Sequence, residues 1–138
     1  MSAIVTHDLS KTYKSLGKAT VHSLRNVNME VQENEIYGFL GRNGAGKTTA
    51  IKLLTGLIQA TKGRAEIFGE DAVLPSARAR IGYLPEHPYF YEYLTPRETI
   101  AFYGKLRGLS KDAIRKEWLR ISEMLFLDEF ADRRIRGF

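Results

Sequence analysis

The stretch Gly41-Arg42-Asn43-Gly44-Ala45-Gly46-Lys47-Thr48-Thr49 decides how the rest of the sequence is interpreted. It matches the phosphate-binding pattern G-x-x-x-x-G-K-[ST] at every fixed position. The glycines permit positive φ angles and let backbone N–H groups approach an anion closely. Lys47 then offers a compact positive charge to the β- and γ-phosphates, and Thr48 offers a hydroxyl to Mg²⁺. The stretch predicts a nucleotide-phosphate site, the alternative being a glycine-rich turn that precedes a lysine.

The flanks of this stretch favour the phosphate site over the simple turn. Residues 35–40 read as a short buried strand, and residues 50–54 with Leu57 read as a helix. A helix that begins at the loop also directs the positive end of its dipole toward the phosphates. The residues predicted to bind the nucleotide phosphates are Gly41, Asn43, Gly44, Ala45, Gly46, Lys47, Thr48 and Thr49.

Composition sets wider limits on the function. The chain has 138 residues, which suits one domain, and its net charge of +5 is modest. A site for a polyanionic nucleotide accounts for part of this basicity, and no long basic run predicts a nucleic-acid partner. The absence of cysteine excludes disulfides and suits a reducing cytosol. The N-terminus has no signal pattern, and no apolar run reaches membrane-spanning length, so any membrane role is expected to act through a partner.

A β-rich section precedes the phosphate-binding stretch. Residues 4–9 read as a strand, and Val27, Met29 and Val31 alternate with polar residues in the period of a half-buried strand. Asn34 then stands where a turn needs positive φ. Two further strands are expected after the loop helix, at residues 64–68 and 81–84, with a short helix between them at residues 75–80.

The C-terminal part is predicted to be helical. Thr95 is an N-cap, Pro96 takes the first helical position, and Glu98 completes a capping box. This helix is expected to end near Gly108, and Ser110 can cap a second one, whose apolar face comprises Ile114, Trp118, Ile121 and Leu125. The aromatic stretch at residues 86–94 reads as an ordered loop that either faces a partner or packs ordinarily beneath the loop.

Together these motifs resemble the N-terminal part of an ABC-transporter ATPase subunit. Tyr13 stands where that family places an aromatic residue that stacks on adenine, and residues 41–49 are similar to its Walker A loop. Residues 81–86 resemble the strand leading into its Q-loop, and residues 94–98 the start of its helical subdomain. Residues 133–138 resemble the segment before its signature motif. One departure is Glu86, which stands where the family has Gln, although a carboxylate can still ligate Mg²⁺.

The resemblance implies an α/β P-loop NTPase with an N-terminal antiparallel β section, a parallel core and the start of a helical subdomain, truncated relative to the family domain. Residues 1–94 would form the first two parts and residues 95–138 the third. It implies ATP and Mg²⁺ as cofactors, Lys47 and Glu86 as catalytic residues, and Thr48 and Glu86 as metal ligands. It further implies a dimer of nucleotide-binding domains that drives export through a transmembrane permease on the inner face of the membrane.

Two stretches imitate family motifs that the sequence otherwise lacks. Residues 109–112 begin like the signature Leu-Ser-Gly-Gly but have neither glycine, and residues 125–129 look like a Walker B strand. Because the apolar period of the second helix runs into residues 125–129, we interpret them as a helix end. The chain alone is therefore expected to bind ATP without hydrolysing it. The alternatives are a non-hydrolysing nucleotide module and a soluble ABC-type ATPase that acts on nucleic acid.

Overall fold

The chain folds into two units, Met1–Tyr83 and Leu84–Phe138. A computed structural model describes residues 1–14, 17 and 19–138. The first unit carries the sheet and the glycine-rich stretch, and the second is helical. Within the described part of the chain, no helix is long and apolar enough to cross a bilayer.

The first unit is built on a four-stranded sheet with the order β2-β1-β3-β4. Its strands, all paired antiparallel, are β1 (Ser2–Tyr13), β2 (Val21–Gln32), β3 (Lys62–Ile67) and β4 (Glu70–Asp71). The predicted strands at residues 4–9 and 64–68 and the alternation at residues 27–31 are thus confirmed. Asn34 has a φ of 62°, as the turn after β2 required.

The core of this unit lies between the sheet and helix α1 (Lys47–Leu54). Helix α2 (Pro75–Ala79), the short helix expected at residues 75–80, adds the fully buried Ala77. The small side chains let the helices approach the strands closely, so apolar area is removed from water on both sides. The buried core residues are Leu9, Leu24, Ala50, Leu53, Ala65, Ile67, Ala72 and Ala77.

The expected parallel core is not part of the described sheet, which corrects two strand predictions. Residues 35–40 and 81–84 have no regular secondary structure, and every strand pair that the structure describes is antiparallel. Apolar residues expected to be buried are instead open: Ile36 is 100% exposed and Leu40 94%. Phe39 of the first stretch and Ile81 of the second are partly buried and pack against the core. A strand is defined by the ladder bonds of a neighbour, and no described segment pairs with either stretch.

The second unit is a helix pair, α3 (Pro96–Leu106) and α4 (Lys111–Leu125). The predicted capping box at Thr95 and Glu98 is present, and Ser110 accepts a hydrogen bond from the N–H of Ala113. The helices meet at Gly104, where a Cβ would lie 2.7 Å from a side-chain carbon of Ile114. The predicted face of α4 is only partly buried: Trp118 is 8% exposed and Leu125 57%.

The aromatic loop before α3 has both packed and exposed rings, the two alternatives that the sequence left open for residues 86–94. Tyr91 packs edge-on against Phe102 of α3, with ring centroids 5.3 Å apart. Tyr89 is 86% exposed and Tyr93 65%. One part of this loop therefore packs against the unit, while the other presents aromatic rings to its surroundings.

Candidate nucleotide-phosphate site

Residues 41–49, called the phosphate loop from here on, form a turn that opens into α1. Gly44 and Gly46 adopt φ angles of 80° and 93°, which only glycine takes at little cost. The N–H of Ala45 donates to the carbonyl of Arg42 at 3.1 Å and closes the turn. The first helical bond follows from Ala50 N–H to Gly46 O, at 2.9 Å. The glycines of the pattern thus provide the chain reversal that exposes the helix start.

Gly46 is pressed against the backbone of β2. A Cβ at this position would lie 2.3 Å from the carbonyl oxygen of Ser23 and 3.3 Å from a methyl of Leu24. By contrast, a Cβ at Gly44 would meet nothing within 4 Å. The pattern requires glycine at position 46 for two reasons, the left-handed φ and the close approach to the strand.

The start of α1 has no cap of its own. Gly46 is the N-cap and supplies no side-chain acceptor, and the first turn contains no acidic residue. A helix leaves its first N–H groups without intrahelical partners, and these groups carry the positive end of the dipole. The hydroxyl of Thr48 is exposed in the same turn and makes no hydrogen bond within the described residues. The N-terminus of α1 therefore presents several donors and no competing negative charge.

Lys47 folds back over the phosphate loop. Its ammonium donates to the carbonyl oxygens of Gly41 and Arg42, the second bond being 2.9 Å long. These acceptors are neutral, so the positive charge of the side chain is not cancelled by an ion pair. The loop and the lysine thus place a full positive charge next to the uncapped N–H groups of α1.

Tyr13 lies at the end of β1 and is 42% exposed. The ammonium of Lys11 sits 5.2 Å from the centre of its ring, so a cation already uses the ring face. In the ladder Tyr13 pairs with Val21, two residues before Ser23. Two strand residues span about 7 Å, so β2 connects the Tyr13 end of the hairpin to the phosphate loop over a short distance.

Sequence reasoning missed Ser23. Its Oγ lies 2.7 Å from Oγ1 of Thr49, and both residues are half-buried. A serine in an otherwise ordinary strand gives no sequence signal for such a contact. Only the register of β2 against the phosphate loop reveals it.

Glu86 belongs to the second unit, where it is exposed in a bend of the aromatic loop. Its carboxylate suits a divalent cation by chemistry. Its role beside Thr48 stays a prediction, as do the roles of Tyr13 and the phosphate-loop residues. Among the described residues no cluster of three or more histidine and carboxylate side chains could hold a metal by itself.

The two stretches that look like family motifs, residues 109–112 and 125–129, have structural roles. Ser110 caps α4, accepting from Ala113 N at 3.2 Å. Helix α4 continues to Leu125, and Phe126 then ends it in the left-handed conformation, which confirms the helix-end interpretation. The carboxylate of Asp128 accepts from the buried hydroxyl of Ser122, and residues Asp128–Phe130 form a 3₁₀ turn.

The first unit has a second concave region, whose hydroxyl groups are already hydrogen-bonded to other protein atoms. This cavity of about 300 Å³ is lined by Ser10, Thr12, His22, Leu24, Arg25, Asn26, Thr61 and Lys62. Its hydroxyls already bond to protein atoms: Ser10 to Asn26, Thr12 to His22, and Thr61 to Thr12. Nearby on β3, the hydrogen bond from Arg64 holds the pKa of Glu66 below its usual value. The hydroxyls of this cavity are thus bonded to protein atoms, whereas the hydroxyl of Thr48 makes no hydrogen bond within the described residues.

A sheet whose hairpin supports a glycine loop and the helix it opens defines a phosphate-loop α/β protein. The sequence profile of the ABC transporter family matches residues 24–137, and the chain belongs to that family. It is 44% identical over 124 residues to the bacitracin transport ATP-binding protein BcrA of Bacillus licheniformis, covering 88% of this chain and 39% of that one. It is 40% identical over 127 residues to the uncharacterized ABC transporter ATP-binding protein YxlF of Bacillus subtilis, covering 91% and 42%.

Solved structures agree on the fold. The chain superposes on the dimeric structure of MJ0796, a bacterial ABC transporter cassette, with a TM-score of 0.82 and 25% identity. The match covers 98% of this chain and 62% of that one. The described residues thus have the fold of an ABC ATPase cassette, and the chain spans about 40% of the length of the bacterial relatives named above.

Proposed function

We propose that this chain is the ATP-binding part of an ABC transporter ATPase that couples ATP hydrolysis to export. The observation that carries the proposal is the start of α1, which has no side-chain cap and whose first residue, Lys47, holds its ammonium against the carbonyls of the phosphate loop. Such an arrangement favours a polyanionic ligand over a neutral one. The names of BcrA and YxlF, both ATP-binding proteins, support ATP as that ligand.

Each residue would have a defined part in binding. The N–H groups of residues 41–49 and the ammonium of Lys47 would hold the phosphates, and the ring of Tyr13 would stack on the adenine. The exposed hydroxyl of Thr48 and the carboxylate of Glu86 would hold Mg²⁺. When bound, this ion neutralises phosphate charge. Lys47 then has to leave the carbonyl oxygens it now contacts and turn toward the phosphates.

The partners would be those of a transporter. The names of the relatives and the dimeric cassette of MJ0796 support a dimer of nucleotide-binding domains joined to a transmembrane permease. The protein would then lie on the inner face of the membrane, held there by the permease. These assignments are proposals for the whole protein, because the chain spans only about 40% of the length of these relatives.

The first experiment is a calorimetric titration of the 138-residue chain with ATP–Mg²⁺. Lys47→Ala is expected to weaken binding about 10- to 150-fold, because a charge-assisted hydrogen bond contributes about 1.5–3 kcal/mol. Lys52→Ala is the matched control, since Lys52 is an exposed lysine in the last turn of the same helix. Equal dissociation constants for Lys47→Ala and the unchanged chain would contradict the proposed phosphate site.

Hydrolysis is expected to be absent from the chain by itself. A general base must lie within hydrogen-bond reach of the attacking water. The one adjacent Asp-Glu pair in the sequence, Asp128 and Glu129, belongs to the 3₁₀ turn after α4 and does not end a strand. Phosphate release should therefore equal the background. Steady release that Glu129→Gln abolishes, with ATP binding intact, would contradict this assignment.

A further inference from the structure

The strand β2 holds the phosphate loop at two points through a single residue. The carbonyl oxygen of Ser23 faces Gly46 so closely that no Cβ fits between them. The hydroxyl of Ser23 lies 2.7 Å from that of Thr49, three residues further along the loop. The contact between the Ser23 carbonyl and Gly46 alone would fix only the distance between the loop and the strand. The second contact also fixes the rotation of the first turn of α1.

Either hydroxyl of this pair can be the donor, and the direction of the bond sets whether the Thr49 proton is free for a ligand. A hydroxyl has one proton to donate and can accept two hydrogen bonds. With Ser23 as the donor, Thr49 accepts this bond and keeps its own proton for another acceptor. Ser23 makes no other side-chain hydrogen bond within the described residues. The serine can therefore serve as the donor without losing a competing contact.

The direction of Thr49 follows from the register of the hairpin. Val21, the ladder partner of Tyr13, lies about 7 Å before Ser23 along β2. Thr49 contacts Ser23 through its hydroxyl, so this contact lies two residues along β2 from the ladder partner of Tyr13. With the base on Tyr13, as proposed above, we take the phosphate oxygen nearest the ribose as the acceptor for the Thr49 hydroxyl.

We propose that Ser23 is a positioning residue of the nucleotide site, which orients the Thr49 hydroxyl toward the phosphate nearest the ribose. This inference rests on the proposed function, because it takes ATP as the ligand. It adds a residue that lies outside the sequence pattern and contacts the nucleotide only through Thr49.

The test is a double-mutant cycle on ATP–Mg²⁺ affinity. Ser23→Ala should weaken binding about 2- to 12-fold, the range for one neutral hydrogen bond. In a Thr49→Val background, Ser23→Ala should have no further effect, because its consequence passes through the Thr49 hydroxyl. Ser23→Thr keeps the hydroxyl on a residue suited to strands and should restore affinity.

Ser10→Ala is the matched control. Ser10 is a buried serine on β1 of the same sheet, and its hydroxyl bonds to Asp8 and Asn26. Both serine variants should lower the melting temperature of the ligand-free chain, but only Ser23→Ala should change the dissociation constant. An unchanged dissociation constant for Ser23→Ala, or effects that multiply independently with Thr49→Val, would overturn the inference. Failure of the unchanged chain to bind ATP–Mg²⁺ would instead reject the nucleotide site, and this inference with it.

Discussion

The helices of the two units begin in different ways. In the second unit, α3 and α4 start at Thr95 and Ser110, whose hydroxyls each accept a backbone N–H at 3.2 Å. In the first unit, α1 starts at Gly46, which has a left-handed φ and no side chain to offer. Replacing a capping side chain by alanine costs about 0.5–2 kcal/mol of helix stability, whereas glycine at the N-cap costs only about a few tenths. Side chains therefore cap α3 and α4, whereas the first N–H groups of α1 have no side-chain acceptor, which suits the anionic ligand proposed above.

The self-capped helices could be predicted from sequence because their signals are local. The partners in the capping box, Thr95 and Glu98, are three residues apart, and Ser110 bonds to Ala113 at the same spacing. The φ of Asn34 is likewise a property of one turn. The phosphate loop belongs to this group, since its glycines and lysine act within nine consecutive residues.

What sequence reasoning missed depends on neighbours distant in the chain. Residues 35–40 are apolar enough for a buried strand, but a strand needs a partner, and none of the described segments forms ladder bonds with them. The contact between Ser23 and Thr49 joins residues 26 positions apart. Neither outcome is encoded in the residues themselves, because each depends on which surface another element presents.

The largest expected effect is that of placing a side chain at the N-cap of α1. Gly46→Ala should lower the free energy of unfolding by at least about 1–3 kcal/mol, the range for a strained left-handed residue, with the collision against Ser23 in addition. Chemical denaturation followed by circular dichroism measures this loss. Gly44→Ala is the matched control, since it has the strained φ without the collision. Equal losses for both variants would mean that the contact with β2 contributes nothing.

Removing the side-chain cap of α3 should lower stability without changing the affinity for ATP. Thr95→Ala is expected to destabilise α3 by about 0.5–2 kcal/mol, because the N–H of Glu98 loses its acceptor. ATP–Mg²⁺ affinity should not change. Thr95→Ser retains the hydroxyl and should retain most of the stability. Thermal unfolding and the ATP titration together check both statements, and a parallel loss of affinity would undo the distinction between the two kinds of helix start.

Substitution of Tyr13 distinguishes the contribution of the base to binding from that of the phosphates. Tyr13→Ala should weaken ATP binding by about 0.5–1.5 kcal/mol, the contribution of one aromatic contact, or roughly 2- to 12-fold. Inorganic triphosphate, which has no base, should bind almost as before, because the start of α1 is unchanged. Tyr13→Phe keeps the ring and should behave like the original chain. An equal loss for both ligands would show that Tyr13 acts through the stability of the hairpin.

The smallest effect is expected at Glu86, which would touch the ligand only through the metal. Its carboxylate is exposed, so its attraction to the cation is screened by water and should amount to about 0.2–1 kcal/mol, or roughly 1.5- to 5-fold in affinity. Glu86→Gln should show this loss when ATP is titrated with Mg²⁺ and no loss when the metal is chelated. Glu92→Gln, which alters an exposed carboxylate of the same loop, should leave both titrations unchanged. A loss of the same size without Mg²⁺ would mean that Glu86 does not act on the metal.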